Sequence, residues 1–408
     1  ERTMANKNIP QIRFKGFDGE WKEKKFNDRF LGFTEKTTSE NEDVLLSSSI
    51  NGMFLNSELF SHQRGSSNKG YLKIKLGTMI LSAQNLHLGN ANVNLRFNHG
   101  IISPAYKTYN ILEDNIAYVN AWLKRDNTNK MFFDCTTVGA SLCRRNINWD
   151  ELYNQYISFP PKSEQERIAS LFTTLDKQIS CSEAKLDKLR TIKKTLLKKM
   201  FVSQGEKTPQ IRFKGFEGEW EENALNNWIE PSKEKNIENK YSKNDVLSVS
   251  GDYGVVNQIE FQGRSFAGVS VSNYGVLHTN DIVYTKSPLK ANPYGIIKTN
   301  IGQTGIVSTL YAIYKSKENV EPIFVQKYFE FDNRLNLYLR PLVRKGAKND
   351  MKVSSEDAIK GNVIFPKKEE QSKISKFFQI LDKQISCQEK KIEKLKAVKK
   401  TLLKKMFV

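Results

Sequence analysis

Residues 10–21 read PQIRFKGFDGEW, and residues 209–220 read PQIRFKGFEGEW, the same phrase except for Asp18 against Glu217. Such a copy, 199 positions on (209 − 10), asks first whether the whole chain is a duplication. It is. DVLLSSSINGMF (43–54) matches DVLSVSGDYGVV (245–256) loosely, and GIISPAYKTY (100–109) matches GIVSTLYAIY (305–314) through G-I-(I/V)-S-x-x-Y-x-x-Y. Residues 159–202 match 365–408 with 28 of 44 positions identical, including LDKQISC and KKTLLKKMFV. The two ends of each half are nearly copied, and about 140 residues between them keep only a thin skeleton. One scaffold carrying two different readers would produce that pattern.

The repeated tails are helical. In the first, Ile168, Phe172, Leu175, Ile179, Leu186 and Leu189 recur at steps dominated by three and four; Ile374, Phe378, Leu381, Ile385, Ile392 and Leu395 do so in the second. No Gly or Pro interrupts either, so each predicts one helix of about 38 residues, roughly 57 Å long. A narrow stripe on so long a helix needs a partner, and the other copy is the obvious one, giving an intramolecular coiled coil. Ser163-Glu164-Gln165-Glu166 after Pro160-Pro161 reads as a capping box. The second copy, with Glu369 and Ser372 at those places, requires a different cap. SQGEKT (203–208) ends the first helix and opens the second half.

The regions 22–158 and 221–364 read as mixed α/β. GYLKIKLGTMILS (70–82), HGIISPAYKTYNI (99–111), NDIVYTKS (280–287) and TGIVSTLYAIYK (304–315) are β-rich, and VEPIFVQKYFEF (320–331) is helical. A bulge or turn is the ordinary reading of Gly100 and Gly305 at the heads of equivalent strands.

A net charge of +19 favours a polyanionic partner, nucleic acid above all. Residues 163–202 and 369–408 hold +4 and +6 of it, as a lysine-rich helix surface does when it is simply solvated. Four scattered cysteines suggest reduced cytoplasmic thiols, and neither they nor the four histidines have zinc-ligand spacing. No apolar run suits a membrane helix, and ERTMANKNIPQ at the start has no apolar signal core. Neither a phosphate-binding GxxxxGK[ST] nor a GxGxxG is present, and KANPYG (290–295) reads as a turn. The chain reads as a binder with no catalytic or metal site of its own.

For DNA contact, LSAQNLHLGNANVNLRF (81–97) offers Gln84, Asn85, Asn90, Asn92, Asn94 and Arg96; amides suit adenine and arginine suits guanine, though Asn equally suits turns. The matching stretch of the second half offers Lys286, Lys290, Asn292 and Lys298. A Gly-Ala loop follows in each half, with Arg144 and Arg145 beside the first and Arg344, Lys345 and Lys348 around the second, placed for phosphates.

With its paired opening phrases, its G-I-(I/V)-S-x-x-Y strands and its FPPKSEQERI/FPKKEEQSKI helix entries, the chain resembles the specificity (S) subunits of type I restriction–modification systems over essentially its whole length. The resemblance implies an α+β architecture: two tandem-repeated mixed α/β target-recognition domains (1–158 and 203–364) separated by two long helical regions (159–202 and 365–408) packed as an antiparallel coiled coil. It implies a DNA-recognition subunit whose domains each read half of a split target, with helices that set the spacer and dock two adenine-methyltransferase subunits. S-adenosylmethionine, ATP and Mg would belong to those partners and to restriction/translocase subunits. Rival readings are a fused methyltransferase–nuclease or recombinase, a structural coiled-coil protein, and the specificity subunit of a type II system cutting on both sides of its site.

Overall fold

The computed structural model describes residues 8–60, 67–141, 144–289, 291–345 and 351–408. The chain forms two compact units, residues 1–183 with 390–408, and residues 184–389. The division falls inside both long helices, Lys162–Lys199 and Lys368–Lys405, each 38 residues, so each helix contributes one part to each unit. A unit is therefore one reader, the beginning of one helix and the end of the other.

In the first unit a four-stranded antiparallel sheet runs in the order Phe30–Phe33, Tyr106–Ile111, Met79–Ser82, Ala91–Val93. Three of the four β-rich runs prove to be two strands joined by a turn, and 280–287 is the single strand Ile282–Thr285; 70–82, for instance, becomes Leu72–Lys75 and Met79–Ser82, turning at Gly77 with φ +85°. Alternate residues of a strand face opposite sides. Met79 and Leu81 accordingly enter a large aromatic core with Trp21, Tyr118 and Phe159, while Ile80 enters a smaller one with Leu46, Leu72 and Ile102. That second layer is the pair Leu72–Lys75/His99–Ile102 and the hairpin Leu46–Ser49/Gly52–Leu55.

The second unit repeats the scheme with Ile229–Pro231, Tyr311–Ser316, Ile282–Thr285 and Ile297–Thr299. Ile282 and Tyr284 face its large core and Val283 its smaller one. The helix Pro322–Phe329 falls where its sequence placed it.

Gly100 and Gly305 mark neither bulge nor turn. A Cβ on Gly100 would lie 2.5 Å from Leu46 and 3.0 Å from the Val44 carbonyl; on Gly305 it would lie 2.5 Å from the Asp245 carbonyl. Both let a neighbouring strand pass close by, through the bridges Leu45–Ile101 and Val246–Ile306. These bridges also make Leu45 the equivalent of Val246, one residue off the sequence match, because the second hairpin turn is a residue longer.

The helix starts are alike, contrary to the expectation of different caps. The first begins at Lys162, with the Pro161 carbonyl accepting from the Glu164 and Gln165 N–H groups, so Ser163 lies inside the first turn and is not the cap. In the second, the Lys367 carbonyl accepts likewise from Glu370 and Gln371. The side chains that follow hold the reader instead. Glu164 takes a two-pronged bond from Arg13 at 2.8 and 2.7 Å, and Gln165 accepts from the Asn115 N–H while donating to Asp114.

The duplicated phrase is a fastener. Arg13 and Arg212 bind Glu164 and Glu370 with the same geometry and donate to the carbonyls of Gly19 and Gly218 at 2.6 Å. Those glycines have φ +76° and +79°, a turn an L side chain strains. Ile12 N–H donates to the Lys405 carbonyl and Ile211 N–H to that of Lys199, both at 2.9 Å. Each phrase thus ties down the start of one helix and the end of the other. Trp21 and Trp220 complete it, buried in their units' cores.

Inside each unit the two helix segments run antiparallel. Asp176 pairs with Lys399 and Glu183 with Lys396 in the first; Lys193 pairs with Asp382 and Arg190 with Glu389 in the second. The apolar stripe has two partners. Ile168 and Phe172 join the first reader's core, as Ile374 and Phe378 join the second's; Leu175 packs with Leu403 and Met406, and Leu381 with Leu197 and Met200. Ile179, Leu186 and Ile392 are buried, while Leu189, Ile385 and Leu395 are partly buried against the cores.

Candidate nucleic-acid interface

The segment 81–97 leaves the sheet at Ser82, turns through Ala83–Asn85 into the short turn Leu86–Leu88, and re-enters as Ala91–Val93. This route decides which amides reach solvent. Gln84 and Asn85 are exposed. Asn90, Asn92 and Asn94 are buried and hold the loop together, a correction to their reading as base contacts. Asn90 accepts from the Ser48 hydroxyl, and Asn92 donates to Ser48 Oγ and the Ser49 carbonyl. Asn94 donates to the carbonyls of Lys75 and Phe97 and accepts from the Arg96 and Phe97 N–H groups. Buried polar groups need such partners, and Asn in a turn supplies them. Arg96 is exposed but paired with Glu58.

The basic hairpin lies beside this loop. Strands Thr136–Ser141 and Arg144–Ile147 follow the helix Asp126–Asp134, against which the Leu86–Leu88 turn packs. Arg145 stacks 4.0 Å over Phe133, bonds the Thr136 hydroxyl, and lies near enough to His87 to add to burial in lowering that imidazole's pKa. Gln84, Asn85 and Arg145 are thus gathered on neighbouring elements. The Arg144 side chain lies outside what is described.

The second unit gathers the matching elements. Lys286 is half-buried and donates to the Ser355 hydroxyl at 3.5 Å; burial lowers its pKa. Ser355 follows the short hairpin Arg344–Lys345/Met351–Lys352, in which Arg344 is exposed. Asn292 is buried and donates to Asp332. Lys298 is also buried, its pKa lowered by desolvation, inside strand Ile297–Thr299, all three of whose residues are buried. Neither of these two faces solvent, so both are withdrawn as direct contacts. Lys290, Lys348 and the Lys345 side chain lie outside the described residues.

Sequence reading missed Lys107, whose ammonium sits 4.1 Å over the Trp149 ring and bonds the Tyr153 hydroxyl. It missed Asn300, which repeats the role of Asn94 by donating to the Leu277, His278 and Gln303 carbonyls. The available signal was an Asn shortly before each strand glycine, six positions from Asn94 to Gly100 and five from Asn300 to Gly305. Among the described residues no cluster of His, Cys, Asp or Glu is placed to hold a metal, and no helix is long and apolar enough to cross a membrane.

Residues 2–191 match the family described as the type I restriction modification DNA specificity domain. Among solved structures, the chain is similar to the S subunit of a type-I restriction-modification system from M. genitalium, at 14% identity, covering 98% of this chain and 99% of that one with a TM-score of 0.59. It also matches the HsdS subunit from Thermoanaerobacter tengcongensis at 15% identity, over 95% and 96% of the two chains, with a TM-score of 0.44. At such identities the first likeness is one of fold.

Proposed function

We propose that this chain, whose residues 2–191 match the type I restriction modification DNA specificity domain and whose second half repeats its first, belongs to that family and is the DNA-recognition subunit of a type I restriction–modification complex. Each reader recognises one part of a split, asymmetric target. The helix pair sets the distance between the parts and docks two adenine-methyltransferase subunits. Methyl transfer, with S-adenosylmethionine, and any ATP- and Mg-dependent restriction belong to partner subunits, and this chain contributes no catalytic group. It works in the cytoplasm, where its DNA is. The family match gives no support to the type II alternative.

One observation carries this reading. The same frame is built twice, fastened by the same phrase, while the exposed and half-buried polar residues carried on it differ. Gln84 and Asn85 stand in one loop, Lys286 in its counterpart; Arg145 stacks on Phe133 in one hairpin, and Arg344 is exposed in the other. Amides read base edges and basic side chains hold phosphates, so a shared frame with different surface residues suits two readers of different sequence.

The test is co-expression with the cognate modification subunit in a methylation-free host, followed by mapping of modified adenines. Two short defined parts around a fixed undefined spacer are expected. A continuous palindrome, or cytosine modification, would overturn the split reading. Native mass of the purified complex checks the two-to-one ratio of modification subunits to this chain.

A further inference from the structure

The two units build the same corner and fill it differently. In the first, the short helix Asn56–Leu59 starts with the Asn56 N–H on the Leu45 carbonyl; in the second, Gln258–Gln262 starts with the Gln258 N–H on the Val246 carbonyl, both at 2.9 Å. The third residue of each helix is a glutamate, Glu58 or Glu260. Facing each helix is the loop stapled by Asn94 or Asn300. The asparagine oxygen accepts from the N–H two residues on, Arg96 at 3.3 Å or Gly302 at 3.0 Å, and the amide donates to the carbonyl of Phe97 or Gln303. Arg96 and Gly302 therefore hold equivalent places.

In the first unit Arg96 closes the corner. Its guanidinium bonds both oxygens of Glu58, at 2.9 and 2.7 Å, and lies 4.8 Å from the Phe97 ring centre. In the second unit Gly302 and Gln303 leave the corner open. A cavity of about 510 Å³ remains there, lined by Glu260, Asp245, Asn257, Leu247, Val255 and Phe261 among others. Among the described residues no basic side chain pairs with Glu260, and none lines the cavity.

We infer that this cavity binds the guanidinium of an arginine side chain supplied by a protein partner, in the place Arg96 takes in the twin unit. Glu260 receives the head group as Glu58 receives that of Arg96. Leu247, Val255 and Phe261 supply apolar wall for the aliphatic stem, which arginine buries readily. Two carboxylates, Glu260 and Asp245, make the cavity a poor seat for a phosphate backbone. A lone arginine binds weakly here, because the twin ion pair is itself half-exposed; an arginine on a docked subunit gains from its tether. This inference stands whether or not the chain reads DNA.

The experiment is a saturation-transfer NMR titration of the full chain with N-acetyl-Arg-Phe-amide, which copies residues 96–97, with its Lys-Phe analogue and with cytidine. Saturable binding of the arginine peptide is expected, preferred over the lysine analogue. Glu260→Gln, at an exposed position, weakens it at least tenfold. Gly302→Arg abolishes it and raises the melting temperature; a Cβ there meets only Asn300 Oδ1, at 3.6 Å, so the variant is sterically allowed. Three results would overturn the inference: no saturable binding, binding unchanged in both variants, or preference for cytidine, which would give the cavity to a base.

Discussion

Arg13 and Glu164 meet with 11% and 1% of their side chains exposed, and Arg212 and Glu370 with 15% and 2%. Removing one partner of so buried a pair leaves a charge without its counterion, at a cost of about 3–5 kcal/mol. Arg13→Ala is expected to lose that much in urea unfolding followed by Trp fluorescence, and the double change to methionines far less. A second residue gives a pH signature. Lys124 donates to the Ile50 and Ala91 carbonyls and to Asn92, and burial lowers its pKa to about 8. Between about 8 and the usual 10.5 the unfolded chain holds the extra proton, so stability attributable to this group rises with pH across that window. The urea midpoint of the wild type relative to Lys124→Met is expected to climb from pH 8 to 10 and to stay level below pH 7.5. None of this was legible in the sequence. Arg13 stood in a copied phrase with no visible partner, since Glu164 lies 151 residues away. The Asn cluster at 85–94 misled for a related reason: amides that staple a loop and amides that read a base have the same composition, and only burial separates Asn92 and Asn94 from Gln84 and Asn85.

Among elements, the long helices were the most legible, because a stripe sustained over 38 residues without Gly or Pro admits little else. Their first turns were not. Ser163 followed by Glu166 has the letters of a capping box, but tertiary partners claim the first-turn side chains, Glu164 by Arg13 and Gln165 by Asn115. The double use of the stripe also escaped, since periodicity marks which residues are buried and not against what. If the helix pair sets the spacer, lengthening both helices changes spacing without touching either reader. Seven residues inserted after Glu183 and after Glu389 keep the stripe in phase and add roughly 10.5 Å, about three base pairs. The methylated motif is expected to keep both defined parts and gain undefined positions between them. An unchanged spacer in a folded variant would refute the helices' role in setting it.

At the scale of the whole molecule the duplication was plain from twelve letters, and the partition into units was not. Sequence halves end at the ends of the helices, whereas compactness assigns residues 390–408 to the first unit. Arg125 shows why: it donates to the Val408 carbonyl and lies 5.0 Å from Phe407, as Arg334 reaches the Val202 carbonyl and lies 5.1 Å from Phe201. The end of the chain fills in the first unit the place that Phe201–Val202 fills in the second. A permuted chain, joined from Val408 to Asn8 by a short linker and opened within 203–208, is therefore expected to fold with an unchanged methylation motif. Loss of cooperative unfolding would show that the covalent link at 203–208 is needed.

The most direct test of two independent readers on one frame is to replace residues 22–158 with a second copy of 221–364 and map the methylated adenines. The split reading expects a motif whose two parts are the same short sequence in inverted orientation around the original spacer, with the first part gone. A motif retaining both original parts, produced by a folded and active complex, would contradict it.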